Sequence, residues 1–90
     1  MPNDIEIMKS AISCFGADAQ ENQAIEECAE LIQAISHKHR GRENNISEEI
    51  ADVEIMLEQL KLINDCADEV EEIRKSKMER LFDRVFDKCL

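Results

Sequence analysis

The chain is 90 residues long, 43% hydrophobic and 36% charged, with three Phe as its only aromatic side chains. That length makes one domain, 1–90, whose own core is modest enough that oligomerisation is the natural remedy. Eleven basic against 21 acidic residues give a formal net charge of −10, which argues against nucleic acid or an anionic membrane as partner, because phosphate-rich surfaces call for a basic face.

Two Gly and one Pro leave little material for hairpin turns, and no stretch alternates as a strand does, so the expected class is all-α. Helix one is predicted from Asn3 to Cys14, with Asn3 as N-cap and Ile5, Met8, Ile12 and Phe15 as its apolar stripe; Gly16 breaks it. Helix two runs from Asp18 to Lys38 with Ile25, Cys28, Ile32 and Ile35 on one side, and Gly41 suits the residue after its C-cap. Helix three starts at an N-cap near Asn45 or Ser47, where Asn45 and Glu48 have capping-box spacing, and continues to Asn64. Helix four spans Ala67 to Phe86 along Val70, Ile73, Leu81 and Val85. Short connections make neighbours antiparallel, giving a four-helix bundle. Four widely separated cysteines, with no signal peptide and no apolar span, read as reduced, packed thiols in a cytoplasmic protein. Without a C-x-x-C pair zinc is disfavoured. His37 and His39, beside basic residues at a helix end, read as surface or capping groups.

One acid is out of place. At about 100° per residue, Ile46, Ile50, Val53, Leu57 and Leu60 project within about 80° of one another, and Glu49 projects inside that arc with Asp52 at its edge. A buried carboxylate is costly unless a cation or hydrogen bonds compensate it. Helix two carries Glu27 and Glu30 at the same i, i+3 spacing as Glu49 and Asp52, which places each pair side by side on its helix. Antiparallel packing could bring the pairs face to face, and four carboxylates without His make a hard-ligand site suited to Mg²⁺ or Mn²⁺. Either pair alone also reads as ordinary solvated surface; it is the combination with an inward Glu49 that favours a metal. On helix four Lys77 projects into the apolar line and Arg74 and Arg84 lie beside it. They are snorkelling stems, ligands for an anion, or partners of the inward acids in a structural network.

"AIEECAELIQAI", a short loop, then "EEIADVEIMLEQL" closely resembles the MazG-like all-α nucleoside triphosphate pyrophosphohydrolases, whose superfamily includes dimeric dUTPases and phosphoribosyl-ATP pyrophosphohydrolases. The signature is E-E-x-x-E followed by E-x-x-D, matched by Glu26-Glu27-Cys28-Ala29-Glu30 and Glu49-Ile50-Ala51-Asp52, and the resemblance covers roughly residues 15 to 86. It implies that Glu27, Glu30, Glu49 and Asp52 hold Mg²⁺, with Mn²⁺ as a substitute. It further implies that water attacks the α-phosphorus of a nucleoside triphosphate, giving the monophosphate and pyrophosphate. Glu26 or Glu48 could orient that water, although both face solvent on the helical wheel. The family's late Lys-x-x-Arg element is matched by Lys77 and Arg80, with Ser76 where Asn is usual and Arg84 as a fallback for Arg80. Gln23, with Gln20 and Phe15, is expected at the base pocket. The resemblance also implies a homodimer or homotetramer that trims non-standard or excess nucleotides.

Other readings stay open: a narrower dUTP or phosphoribosyl-ATP specificity, a catalytically silent nucleotide-binding or oligomerisation module, and an acidic nucleic-acid mimic. The mimic leaves inward-facing Glu49 and Lys77 without a role.

Overall fold

In a computed structural model, which describes residues 1–89, the chain forms four helices and, among those residues, no strand: α1 (Asp4–Phe15), α2 (Ala17–His39), α3 (Ile46–Ile63) and α4 (Ala67–Lys88). None is long and apolar enough to cross a membrane. Each predicted helix is present with ends within two residues of expectation. The Asn3 side chain caps α1, accepting from the Glu6 N–H at 2.8 Å. Gly16, at φ +96°, turns the chain straight into α2. The capping box at α3 does not form: Asn45 makes no side-chain cap, and its amide instead donates to Glu49.

Two helices end in the same left-handed turn. At α2 the Arg42 N–H reaches the His37 carbonyl at 2.9 Å and the Gly41 N–H reaches that of Lys38 at 3.1 Å, with Gly41 at φ +70°. At α3 the Cys66 N–H reaches Lys61 and the Asp65 N–H reaches Leu62, with Asp65 at φ +48°. This is the Schellman arrangement, which favours Gly at the left-handed residue because a Cβ meets the following carbonyl there. Asp65→Gly should therefore stabilise the protein by up to about 1 kcal/mol and Gly41→Ala should destabilise it by about 1 kcal/mol or more. Paired urea melts check both signs.

α2 and α3 make the principal contact, α1 packs across both, and α4 touches only α3. The α2–α3 pair is antiparallel: Gln20 Nε2 donates to Gln59 Oε1 at 2.7 Å near one end, while Glu30 and Glu49 meet towards the other. The apolar lines read from the sequence need correction here. Ile25 and Ile32 are 66% and 69% exposed, Ile35, Ile50 and Leu57 are exposed too, and the buried apolar residues are Ala24, Ala34 and Met56. Each helix is rotated so that its small or acidic side faces the other, because α2 and α3 are apolar on more than one flank and one partner covers only one of them. On α4, Val70, Ile73, Leu81 and Val85 are exposed, as is Lys77. Cys14, Cys28 and Cys89 are exposed rather than packed, and Cys66 is half-buried.

Candidate functional site

The acids on the contact face of α2 and α3 fall in step. Gln20, Glu27 and Glu30 on one helix oppose Gln59, Asp52 and Glu49 on the other, with intervals of seven then three residues along both. Antiparallel helices with a common rise keep such a register over their length. The Gln20–Gln59 bond fixes it, and the two carboxylate pairs follow from it.

One carboxylate oxygen from each of Glu27, Glu30 and Glu49 lies within 4.8 Å of the others. Asp52 completes the group: its carboxyl lies against that of Glu27 and acts on Glu49 as well. Glu49 is 5% exposed and Glu27 half-buried. Each holds one hydrogen bond, from Gln23 Nε2 to Glu27 Oε1 at 2.9 Å and from Asn45 Nδ2 to Glu49 Oε1 at 2.8 Å. The second oxygen of each, Oε2, is buried and has no partner. No basic side chain answers these charges, since the one ion pair among the described residues is Lys61–Glu58 at 2.7 Å, elsewhere on α3.

Electrostatics follow from that geometry. Burial, first, raises the Glu27 carboxyl above its ordinary value; the Gln23 bond opposes, and the Asp52 and Glu49 carboxyls add to the rise. Burial also leads for Glu49, reinforced by the Glu30 and Asp52 carboxyls and opposed by Asn45. A carboxyl raised on folding makes the folded state bind more protons than the unfolded chain, so its contribution to stability is complete below the ordinary value of 4.5 and is lost as pH rises through the folded value. Without divalent cations the melting temperature should fall as pH is raised from that value towards neutrality. The decline should be shallower in Glu49→Gln, and parallel slopes would remove Glu49 from the cause.

A group of hard, like-charged oxygens with two buried lone-pair sites unfilled is what a divalent cation neutralises. Mg²⁺ binds oxygen at about 2.0–2.1 Å and so spans oxygens up to about 4.2 Å apart, close to the 4.8 Å within which these oxygens lie. The donor set therefore fits Mg²⁺ or Mn²⁺, with Glu27, Glu30, Glu49 and Asp52 as the residues that would hold it.

Two cavities flank the acids. Gln23, Glu27, Asp52, Ile55 and Met56 line one, and Glu30, Gln33, Ala34, His37, Asn45 and Glu49 line the other. Gln23 thus stands at the site, held to a carboxylate. Gln20 is engaged with Gln59, and Phe15 is 67% exposed. Lys77, Arg80 and Arg84 are exposed on α4, and neither cavity draws a residue from that helix. Glu26 and Glu48 are exposed. Two residues at the site carried other roles in the sequence reading, Asn45 as an N-cap and His37 as a surface or capping group. Asn45 was legible by its i, i+4 spacing to Glu49, whereas His37 enters the cavity only because α3 packs against the last turns of α2.

No family model, curated protein or solved structure matches the chain.

Proposed function

We propose that the chain is a metal-dependent nucleoside triphosphate pyrophosphohydrolase, converting NTP or dNTP and water to the monophosphate and pyrophosphate, of the MazG-like kind its E-E-x-x-E and E-x-x-D segments resemble. The observation that carries the reading is the pair of buried, unpartnered oxygens on Glu27 and Glu49, set in a group of three carboxylates with Asp52 beside Glu27 and no basic residue among them. A structural network would place a cation side chain there; a solvated acidic face or a nucleic-acid mimic would not bury Glu49 to 5%. When bound, Mg²⁺ supplies charge neutralisation of the polyphosphate and a lowered pKa for water.

The chain's own residues supply the rest. Glu27, Glu30, Glu49 and Asp52 hold the cation, and Gln23 and Asn45 fix the Glu27 and Glu49 carboxylates by one hydrogen bond each, leaving the other oxygen free. In the hydrolysis the water oxygen bonds to the α-phosphorus, the bridging oxygen departs with pyrophosphate, and a proton is released. Ile55 and Met56, on the wall beyond Asp52, offer an apolar seat for a base. The active form is a homodimer or homotetramer, because large apolar side chains on α2, α3 and α4 stand uncovered in one chain.

Pyrophosphate release from a panel of standard and modified nucleoside triphosphates, with Mg²⁺, with Mn²⁺ and with chelator, tests the proposal. Metal-dependent release that leaves the monophosphate is the expected result and names the base. Mg²⁺ at 100 times its dissociation constant should also add about 2.7 kcal/mol of stability. Silence across the panel with the cation still bound would move the reading to a nucleotide-binding module.

A further inference from the structure

Charge is divided unevenly along the chain. Residues 1–72 carry eighteen acidic and five basic side chains, whereas residues 73–90 carry three acidic and six basic ones. The net-positive stretch is the far part of α4. Every residue of that helix is exposed, and the cavity it lines with α3 draws on it only as far as Arg74. Between Lys77 and Asp87, at about 100° per residue, the helix divides into three sectors. Met78, Leu81, Phe82, Val85 and Phe86 fill one of about 140°, and each is between 36% and 59% exposed. Phe82 and Phe86 pack on each other there, with ring centroids 4.3 Å apart. Lys77, Arg80 and Arg84 form the edge beside that sector, and Glu79, Asp83 and Asp87 take the back. A helix sorted in this way draws most of its stability from whatever covers its apolar face, and its own chain covers none of it.

A seat of complementary character lies between α1 and α3. A groove of about 410 Å³ is lined by apolar Ile7, Met8, Ala51 and Ile55 and by the acids Asp4, Glu54 and Glu58, with no basic residue. Ile7 and Ile55 are 45% and 51% exposed. Glu58 is answered by Lys61, whereas Asp4 and Glu54 join no ion pair among the described residues. Asp4 stands in the first turn of α1, where an acid offsets the helix dipole; Glu54, in the middle of α3, has no such role. The chain's own α4 lines no part of this groove. The surface that one chain leaves open also exceeds that of a compact globule of its mass by an amount obligate dimers bury.

We infer that α4 from Lys77 to Phe86 is an exchange arm, which docks on the α1–α3 groove of a second copy and receives that copy's arm on its own groove. The apolar sector covers Ile7, Met8 and Ile55, and the basic edge faces Asp4 and Glu54. Arm and groove belong to the same chain, so one two-fold axis satisfies both and the assembly closes as a pair. The inference rests on the homo-oligomer of the proposed function and is independent of the hydrolase chemistry.

A charge swap between two chains tests it, read by sedimentation velocity with circular dichroism and with nucleotide turnover alongside. Lys77→Glu/Arg80→Glu/Arg84→Glu sets an acidic arm against an acidic groove, and Asp4→Lys/Glu54→Lys sets a basic arm against a basic groove. Each variant alone should dissociate at least ~100-fold more readily than wild type, because like charges are brought face to face. An equimolar mixture of the two should assemble again, since both contacts of the mixed pair then join opposite charges. Asp4→Asn/Glu54→Gln, which keeps the side-chain shapes and a good first turn for α1, should weaken assembly in the same direction by a smaller factor. Two reversed chains that assemble as wild type does, or that stay apart when mixed, overturn the inference and leave the homo-oligomer to another face. An arm-reversed chain that stays assembled but loses turnover overturns it too, by assigning those bases to the substrate. A wild-type protein that is monomeric at every concentration, whether or not it binds phosphatidylserine vesicles through α4, overturns the inference and the homo-oligomer together while turnover still reports on the hydrolase.

Discussion

Glu49→Gln should cost nearly all cation binding and nucleotide cleavage, and at the same time raise the melting temperature of the metal-free protein. The two signs share one cause. Glu49 is buried among like charges, with one oxygen bonded to Asn45 and the other free, so in the absence of a cation its charge is a burden on the fold. An amide of the same shape removes that charge and can donate towards Glu30. Once the cation is required, the same change takes away a direct ligand. Residues that merely orient a metal ligand cost about 10–100-fold when lost, so a ligand itself should cost at least about 100-fold in Mg²⁺ affinity and in kcat/KM. Melts with chelator and with Mg²⁺, beside isothermal titration, read both arms. A Glu49→Gln protein that melts earlier than wild type with chelator, or that keeps wild-type Mg²⁺ affinity, would place the ion elsewhere.

The second large effect concerns assembly. One chain presents 7311 Å² to solvent, whereas a compact monomer of its 10.4 kDa mass presents about 5,400 Å². The excess of about 1,900 Å² per chain is of the size that obligate homodimers bury. Its radius of gyration of 16.4 Å exceeds the roughly 12 Å of a 90-residue globule, largely because α4 stands off the other helices. On the proposal of a homo-oligomer, a second copy would cover it. The outstanding helix carries apolar Ile73, Leu81, Phe82 and Val85 among Lys77, Arg80 and Arg84, and α2 and α3 expose Ile25, Ile32, Ile50 and Leu57 beside acids. Apolar stripes and opposite charges would both be answered by the same docking. The melting temperature should therefore rise with protein concentration, as it does when folding and association are linked. Leu81→Asp, which places a charge in the middle of the α4 stripe, should drive the protein to monomer and unfold most of it at micromolar concentration. Sedimentation and circular dichroism across a hundredfold dilution check this; a Leu81→Asp chain that stays assembled and folded would exclude α4 from the interface.

Helix positions were legible from the sequence because the signals for them are local. Asn3 caps α1 through its own neighbour Glu6, Gly41 takes the left-handed turn after α2, and the apolar spacing of residues 46–63 is helical whatever packs against it. The i, i+3 pairs Glu27/Glu30 and Glu49/Asp52 were legible for the same reason; Glu49 is inward as read, although Ile50 and Leu57 of the arc it was read from face outward and Met56 and Gln59 share its buried side. Which flank of α2 would be covered was not. Ile25, Ile32 and Ile35 outweigh Ala24 and Ala34 in any hydropathy reading, yet the alanines are buried, because close approach of α3 needs small side chains on one flank and leaves the isoleucines facing outward. Lys77 misled similarly: its place on an apolar line marks it as inward only if something covers that line, and within one chain nothing does.

The sequence alone thus determined the all-helical class, the four segments and the two carboxylate pairs, all set by interactions within a few residues along the chain. Tertiary structure decided that the pairs meet with no basic residue between them, and that His37 lies beside the group. Those outcomes depend on register, fixed by Gln20 against Gln59 and by how closely two alanine-faced turns let α3 approach. They are distances between residues remote in sequence, which helical periodicity does not encode.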